Sequence, residues 1–321
     1  MNIPTGKGAV DITCSVWKPW RTATWPQSIS IEDQVKAAIG LGAKAIAIKG
    51  TNLEWVYGAK ENLGWPYNKY SNDHIEIEAR ANGLEIDLWC WVDCKNPAAQ
   101  AQVIKDAVAR WNPRNVKLDV EGGVAKKYAY NTGAFLRSLG RLYRHNGVSV
   151  KVWLQSYRRP DLHREIAWNK WLSYIGHDGL YLLEGVAPQA YYIGSQESVY
   201  DYTRMINAYG KLEAEINRTF NWHVTLPTFR EHGWQPTAES LEKGISFLRD
   251  TLGDRLVGVD YWRLGSLMTE QFKDVMAMLI GYDWGEGNSV PNPVPFEELP
   301  EPKRWNIVGD DLRNRGIIDY T

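Results

Sequence analysis

The feature that most constrains this chain is a pattern that repeats while the sequence does not. Eight short β-rich runs recur at Val10–Trp17, Lys44–Thr51, Leu84–Asp93, Arg114–Glu121, Val148–Tyr157, Gly185–Ile193, Phe220–Phe229 and Leu256–Leu264. Between them lie amphipathic helical stretches such as Ile31–Leu41, Ala98–Trp111 and Thr237–Leu252. Parallel strands need crossovers of this kind, and eight such βα units fit a (β/α)8 TIM barrel, an α/β fold of typically ~250 residues. A doubly wound open sheet is the alternative, but no Gly-rich phosphate turn follows the first run. A chain of 321 residues can bury a single large core. The barrel is expected over residues 1–283. Residues 284–321 are expected to form an extended, proline-rich C-terminal arm, with five prolines between Gly287 and Trp305. That arm either wraps the barrel or docks on a protein partner.

Alternation within the runs assigns faces. In Val116–Glu121 the aliphatic residues share one parity, and Lys117, Asp119 and Glu121 share the other. Side chains alternate along a strand, so the aliphatic set faces the helices and the polar set faces the barrel axis. The same parity turns Asp11, Thr13 and Ser15 inward on the first run, and Glu85, Asp87, Trp89, Trp91 and Asp93 on the third. Lys151, Trp153, Gln155 and Tyr157 follow on the fifth, Asp260 and Trp262 on the eighth. Unpaired buried charge is costly, so these groups must pair with one another or line a wet site.

Composition removes several function classes. Net charge is −1, without the basic excess of a nucleic-acid binder. No apolar run is long enough for a membrane span, and Met1–Val10 has no basic segment leading into an apolar one, so no signal peptide is expected and synthesis is assigned to the cytoplasm. Cys14, Cys90 and Cys94 read as free thiols. Neither they nor the scattered His74, His223 and His232 have metal-ligand spacing. No metal or cofactor is expected.

Active sites of such barrels lie at the C-terminal strand ends. Asp119 and Glu121 end the fourth run, both inward, with Cα atoms roughly 6.5–7 Å apart. Neighbouring carboxylates raise one another's pKa, which leaves a proton available for general acid chemistry such as glycosidic cleavage. The alternative is an ion network with Lys117, Lys49 or Lys151. Other strand ends supply aromatic and amide groups: Trp262, Tyr191, Tyr157, Gln155, Trp89 and Trp91. The chain has 16 Trp against 6 Phe. By the strand assignment, Trp17, Trp20, Trp25, Trp55, Trp65, Trp89, Trp91, Trp153, Trp222, Trp234 and Trp262 lie on strands or in the loops that follow. Indole faces pack well on the C–H faces of sugars, so a polysaccharide is the expected partner.

The segment VKLDVEG (Val116–Gly122) resembles the fourth-strand signature of glycoside hydrolase family 25, the lysozyme-type muramidases. AVDITCS, the Lys-bearing AIAIKGTN and VGVDYWRLG agree in order. Family 18 chitinases also end this strand in Asp-x-Glu, with a Tyr after strand six and a Trp after strand eight, which Tyr191 and Trp262 match. The first run departs from the family 25 pattern, lacking its Asp-x-Ser with a following Gln-Gly. The resemblance implies a retaining hydrolase of β-1,4-linked N-acetylated glycan, with peptidoglycan favoured over chitin. Glu121 would be the general acid/base. Asp119 would orient the 2-acetamido group or stabilise the intermediate it forms, and Asp11 would add a third carboxylate. Asp260 is a fourth candidate acid, or the partner of Arg263 or Lys49. Lys49 is a substrate-binding candidate. A two-glutamate scheme through Glu231 ranks lower, because the Asn-Glu pair it needs on strand four is absent. A leaderless lysin or virion component of a phage fits the family. A non-catalytic, glycan-binding or structural barrel in a phage tail or similar assembly is the alternative. A metal-dependent barrel hydrolase or aldolase ranks behind both.

Overall fold

The computed structural model describes residues 10–16, 30–59 and 71–284. Its strands are β1 (Asp11–Val16), β2 (Ala45–Asn52), β3 (Trp55–Val56), β4 (Glu85–Trp91), β5 (Asn115–Asp119), β6 (Lys151–Tyr157), β7 (Gly185–Gln189), β8 (Asn221–Pro227) and β9 (Leu256–Trp262). The sheet runs β1-β9-β8-β7-β6-β5-β4-β2-β3, and a further β1–β2 pairing closes it. Eight strands are parallel and form the barrel, and each coincides with one of the expected runs. β3 is an antiparallel addition to β2 that the strand–helix pattern did not suggest.

Helices fill the outer layer: α1 (Ile31–Gly40), α2 (Asn72–Ala81), α3 (Pro97–Trp111), α4 (Gly122–Lys127), α5 (Thr132–Leu139), α6 (Trp168–Ser173), α7 (Ser198–Ile216), α8 (Ala238–Leu252), α9 (Leu264–Leu267) and α10 (Lys273–Gly281). Their ends carry the expected local chemistry. Ser30, Ser71 and Thr237 accept hydrogen bonds from the first-turn amides of α1, α2 and α8. Asn112 and Asn217 close α3 and α7 in the left-handed conformation that asparagine tolerates. The core lies between sheet and helices, where Val116, Leu118, Ile86, Leu88 and Leu154 of the strands are fully enclosed with Phe135, Trp171 and Tyr209 of the helices. This is the aliphatic face that parity assigned.

The inward face is polar, and its charged groups pair in layers. Near the N-terminal strand ends, Asp87 accepts from Arg114 Nε at 2.9 Å, Asn115 Nδ2 at 3.0 Å and Thr13 Oγ1 at 3.1 Å. Arg114 also pairs with Asp11 at 2.8 Å, and Asn115 Oδ1 accepts from Trp153 Nε1 at 3.0 Å. His223 stands edge-on to Trp153. It fits only because residue 258 is glycine: a Cβ there would lie 2.7 Å from His223 Nδ1. One layer higher, Lys117 Nζ meets Asp260 Oδ2 at 2.7 Å, and Ser15 Oγ donates to the same oxygen at 2.8 Å.

These layers correct three expectations. Asp11 is the first residue of β1 and belongs to the floor beside Arg114, at the end of the barrel away from Asp119. Asp260 is partnered by Lys117, not by Arg263 or Lys49. Lys117 is therefore not the counter-ion of Asp119, and Lys151 is exposed at the start of β6.

The three cysteines are free and buried. Among the described residues no helix is long and apolar enough to cross a membrane, and no group of three or more His, Cys, Asp or Glu is placed to hold a metal ion. Trp284 is buried and packs against Tyr261 and Tyr282, so barrel packing extends to that residue. The rest of the proposed arm lies outside the described residues.

Two stability effects follow from the interior. Lys117→Met strands a buried carboxylate and should lower unfolding free energy in urea by about 3–5 kcal/mol, with Lys117→Met/Asp260→Leu recovering most of it. Burial pushes the Asp87 carboxyl up, but the Arg114 guanidinium outweighs it and holds the group at about 2. A lowered carboxyl stabilises the fold above its unfolded value, so about 2 kcal/mol should be lost as pH falls from about 4 toward 2. Denaturation midpoints across that range, with and without Arg114→Met, measure it.

Candidate functional site

At the opposite end of the barrel the strands deliver a different set of groups. Asp119 is the last residue of β5, Val120 turns outward into the core, and Glu121 returns inward just before α4. Gln189 ends β7 and donates through Nε2 to Asp119 Oδ1 at 3.0 Å; its side chain also hydrogen-bonds Glu121. One amide thus links both carboxylates.

The two acids are held up in pKa. Burial and then the charge of Glu121 push Asp119 well above its ordinary value, against the ammonium of Lys49 and the Gln189 hydrogen bond. Burial also pushes Glu121 up, against the Gln189 bond and Lys49. Two carboxylates that interact in this way do not both ionise cheaply, so they titrate as a unit, with both groups held above their ordinary values.

Among the described residues, Lys49 is the cation whose charge acts on both acids. A bulge shifts the β2–β4 register between Lys49 and Thr51, with Gly50 as the extra residue. A Cβ on Gly50 would sit 3.2 Å from Leu88 Cδ1 and 3.3 Å from Cys90 Sγ, so a larger residue would crowd the bulge. Lys49 Nζ lies 4.7 Å from the Trp89 ring, 5.0 Å from Tyr57 and 5.6 Å from Trp91, distances at which an ammonium is attracted to an aromatic face. Burial pulls its pKa down, and the charges of Asp119 and Glu121 oppose that.

Aromatic groups frame the carboxylates. Trp89 and Trp262 meet edge-on at 5.2 Å, Trp91 and Trp262 remain half-buried, and the Trp262–Arg263 peptide is cis. Tyr191 stands edge-on to Phe229. Burial, and then the charges of Glu121, Asp260 and Asp119, push its phenol well above the ordinary range, so it is a hydroxyl donor at any working pH. Tyr157 stacks on His163 and accepts from the Gly122 amide at 2.7 Å. Gln155, in register with Asp119, donates to Thr225 Oγ1 at 3.0 Å. Gln155 Oε1 and Trp89 Nε1 are buried and have no hydrogen-bond partner among the described residues.

Of the expected site residues, Asp119, Glu121, Lys49, Gln155, Tyr157, Tyr191, Trp89, Trp91 and Trp262 therefore lie at this end. Asp11 and Asp260 do not join them. Gln189 was missed, although it shares the parity of Tyr191 in Gln189-Ala190-Tyr191 and so faces the same way. Glu231, just beyond β8, lies close enough to Arg263 for its charge to act there. The tryptophans divide as well. Trp153 belongs to the barrel floor, and Trp222 faces outward against Tyr209. Trp17, Trp20, Trp25 and Trp65 lie outside the described residues.

No protein-family model matches the sequence, and no curated protein is similar to it in sequence. Solved structures share its architecture. A family 18 chitinase from Pseudoalteromonas aurantia superposes with a TM-score of 0.52 at 10% identity, over 84% of this chain and 98% of that one. A fungal endo-β-N-acetylglucosaminidase of glycosyl hydrolase family 18 gives 0.51 at 14% identity, over 84% and 96%. The endoglucanase Cel5A from the hyperthermophilic Thermotoga maritima gives 0.53 at 12% identity, again over 84% and 96%. At these identities the likeness establishes the (β/α)8 fold. None of the three is a family 25 lysozyme.

A raised carboxyl weakens the fold as pH climbs through the ordinary carboxylate range toward the raised value. Asp119→Asn keeps an acceptor for Gln189 and removes that charge. It should therefore raise the unfolding free energy measured in urea at pH 8 by on the order of 1 kcal/mol or more, with the gain shrinking toward pH 4. Equal stability of parent and variant at both pH values would contradict the pKa direction.

Proposed function

We propose that this chain is a retaining glycoside hydrolase that cleaves β-1,4-linked, N-acetylated glycans, with Glu121 as general acid/base. The observation that carries this reading is the buried Asp119/Glu121 pair, linked by Gln189 at the end of β5 and framed by Trp89, Trp91 and Trp262. A raised pKa keeps a proton available for the leaving oxygen. Flat indoles beside it suit the C–H faces of sugar rings.

The chemistry needs no second protein nucleophile. Protonated Glu121 gives its proton to the glycosidic oxygen as the C1–O bond breaks. The acetamide oxygen of the same sugar closes on C1, forming an oxazolinium-type ring, while Asp119 orients the acetamide N–H and balances the positive charge. Tyr191, held as a phenol, donates a hydrogen bond to the acetamide. Glu121, now a carboxylate, takes a proton from the water that opens the ring, and the two inversions give net retention. Lys49 limits how far the pair's pKa can rise. Tyr157 fixes the Gly122 turn behind Glu121, and Gln155 sits beside Asp119 in the adjacent strand. The VKLDVEG segment favours peptidoglycan as the substrate, whereas the Tyr191 and Trp262 plan favours chitin.

Glu121→Gln should lower kcat on chitin hexasaccharide or on purified peptidoglycan by about 10²–10⁴-fold with little change in KM. Release of reducing ends at the parental rate would overturn the assignment. A second reading is a barrel that binds glycan without cleaving it, within a larger assembly. Lys49 favours it, because a cation between aromatic rings and two acids can also hold them as a closed ion cluster. On that reading the parent binds but releases no reducing ends, and Trp262→Ala weakens binding more than Glu121→Gln does.

A further inference from the structure

One aromatic group beside the site has no place in the chemistry above. The hairpin formed by the end of β2 and the added strand β3 carries β3 outside the eight barrel strands, and β3 begins with Trp55, which is 60% exposed. Exposed apolar residues are common singly and need no explanation in themselves. Trp55 differs in how it is placed and how firmly it is held.

Its placement follows from register. Trp55 pairs with Asn52, Asn52 with Trp91, Trp91 with Asp119, and Asp119 with Gln155. Residues directly opposite each other on neighbouring strands share a face, so this row puts Trp55 on the same face as the candidate site. The bulge at Gly50 makes this so. Were the same sequence paired without the bulge, Thr51 would lie opposite Trp91, and Asn52 and its partner would turn to the other face. Three inter-strand steps separate Trp55 from Asp119, about 14 Å along the row. The half-buried indole of Trp91 lies between them.

The hairpin is also fixed. Asn72 Nδ2 donates to the carbonyls of Lys49 and Tyr57, both at 2.8 Å. The Leu53 amide donates to Trp91 O at 3.2 Å, and the Tyr57 amide to Gly50 O at 2.9 Å. Asn96 Nδ2, next to α3, donates to Glu54 Oε1 at 2.6 Å. Leu53 itself is held at a φ of +56°, a conformation that leucine keeps only when its surroundings impose it. Ordering this loop is thus part of folding and adds no cost when a ligand arrives.

We propose that Trp55 is a stacking platform for a distal sugar ring of the glycan whose scissile bond lies at Asp119 and Glu121. The inference rests on the carbohydrate reading of the site and extends it: the preferred ligand is a chain several sugars long, bound across Trp91 to Trp55. A disaccharide at the carboxylates does not reach the platform.

Calorimetric titration of chitin hexasaccharide and of chitin disaccharide, with parent, Trp55→Ala and Trp55→Phe, tests it, using the Glu121→Gln background so that no ligand is consumed. Soluble peptidoglycan strands serve as the second long ligand. Trp55→Ala should weaken hexasaccharide or strand binding about three- to tenfold and leave disaccharide binding unchanged, with Trp55→Phe in between. Unfolding temperature should not move, since the side chain is exposed. Unchanged affinity for the long ligands overturns the proposal, as does a parent that binds neither of them. Weaker long-chain binding by Trp55→Ala, together with no release of reducing ends by the chain that retains Glu121, upholds the platform and overturns the hydrolase reading alone.

Discussion

The ion pair between Lys117 and Asp260 sets the terms for everything above it. Both groups are wholly enclosed, and their atoms meet at 2.7 Å. A charge so placed must be matched, because an unmatched one costs several kcal/mol. The match takes Lys117 away from Asp119, two residues further along the same strand. Arg114 is likewise committed, to Asp87 and Asp11. Among the described residues, Lys49 is the cation whose charge acts on both carboxylates at the mouth. Burial outweighs that charge, and both carboxyls are held above their ordinary values.

The fold was legible because a barrel makes the same demand of every strand. Each must present one apolar face outward, and each must be followed by a helix that covers it. Period-two alternation in Val116–Glu121 and the spacing of eight runs carry that information directly. What alternation does not carry is height along the barrel axis. Asp11 and Asp119 share an inward parity, yet one lies on the floor and the other at the mouth, because strand tilt and stagger decide which residues share a layer. Pairing is hidden for the same reason: Lys117 and Asp260 lie 143 residues apart. Gln189 carries no charge and no ring, so a search for acids and aromatics passed over it. Its parity alone marked it.

Tryptophan serves two purposes here, and sequence alone did not separate them. Trp111 donates to Asp73 at 3.0 Å, Trp153 to Asn115 at 3.0 Å and Trp168 to the carbonyl of His163 at 2.8 Å. These indoles fill core volume and anchor a polar neighbour at once, which phenylalanine does not do. The excess of Trp over Phe is in that part a property of how this barrel is packed. Trp89, Trp91 and Trp262 form the smaller set that faces the acids.

The extra residue at Gly50 has a consequence for how such a site changes over time. Substitution alters one side chain, whereas an inserted residue within a regular strand exchanges the whole set beyond it between inside and outside. The bulge absorbs the extra residue here, so the end of β2 and the hairpin built on it keep the face that their register with β4 gives them. Losing Gly50 would remove the bulge and still leave Asn52 opposite Trp91. A strand that can bulge thus tolerates a change of length that would turn over the end of one that cannot.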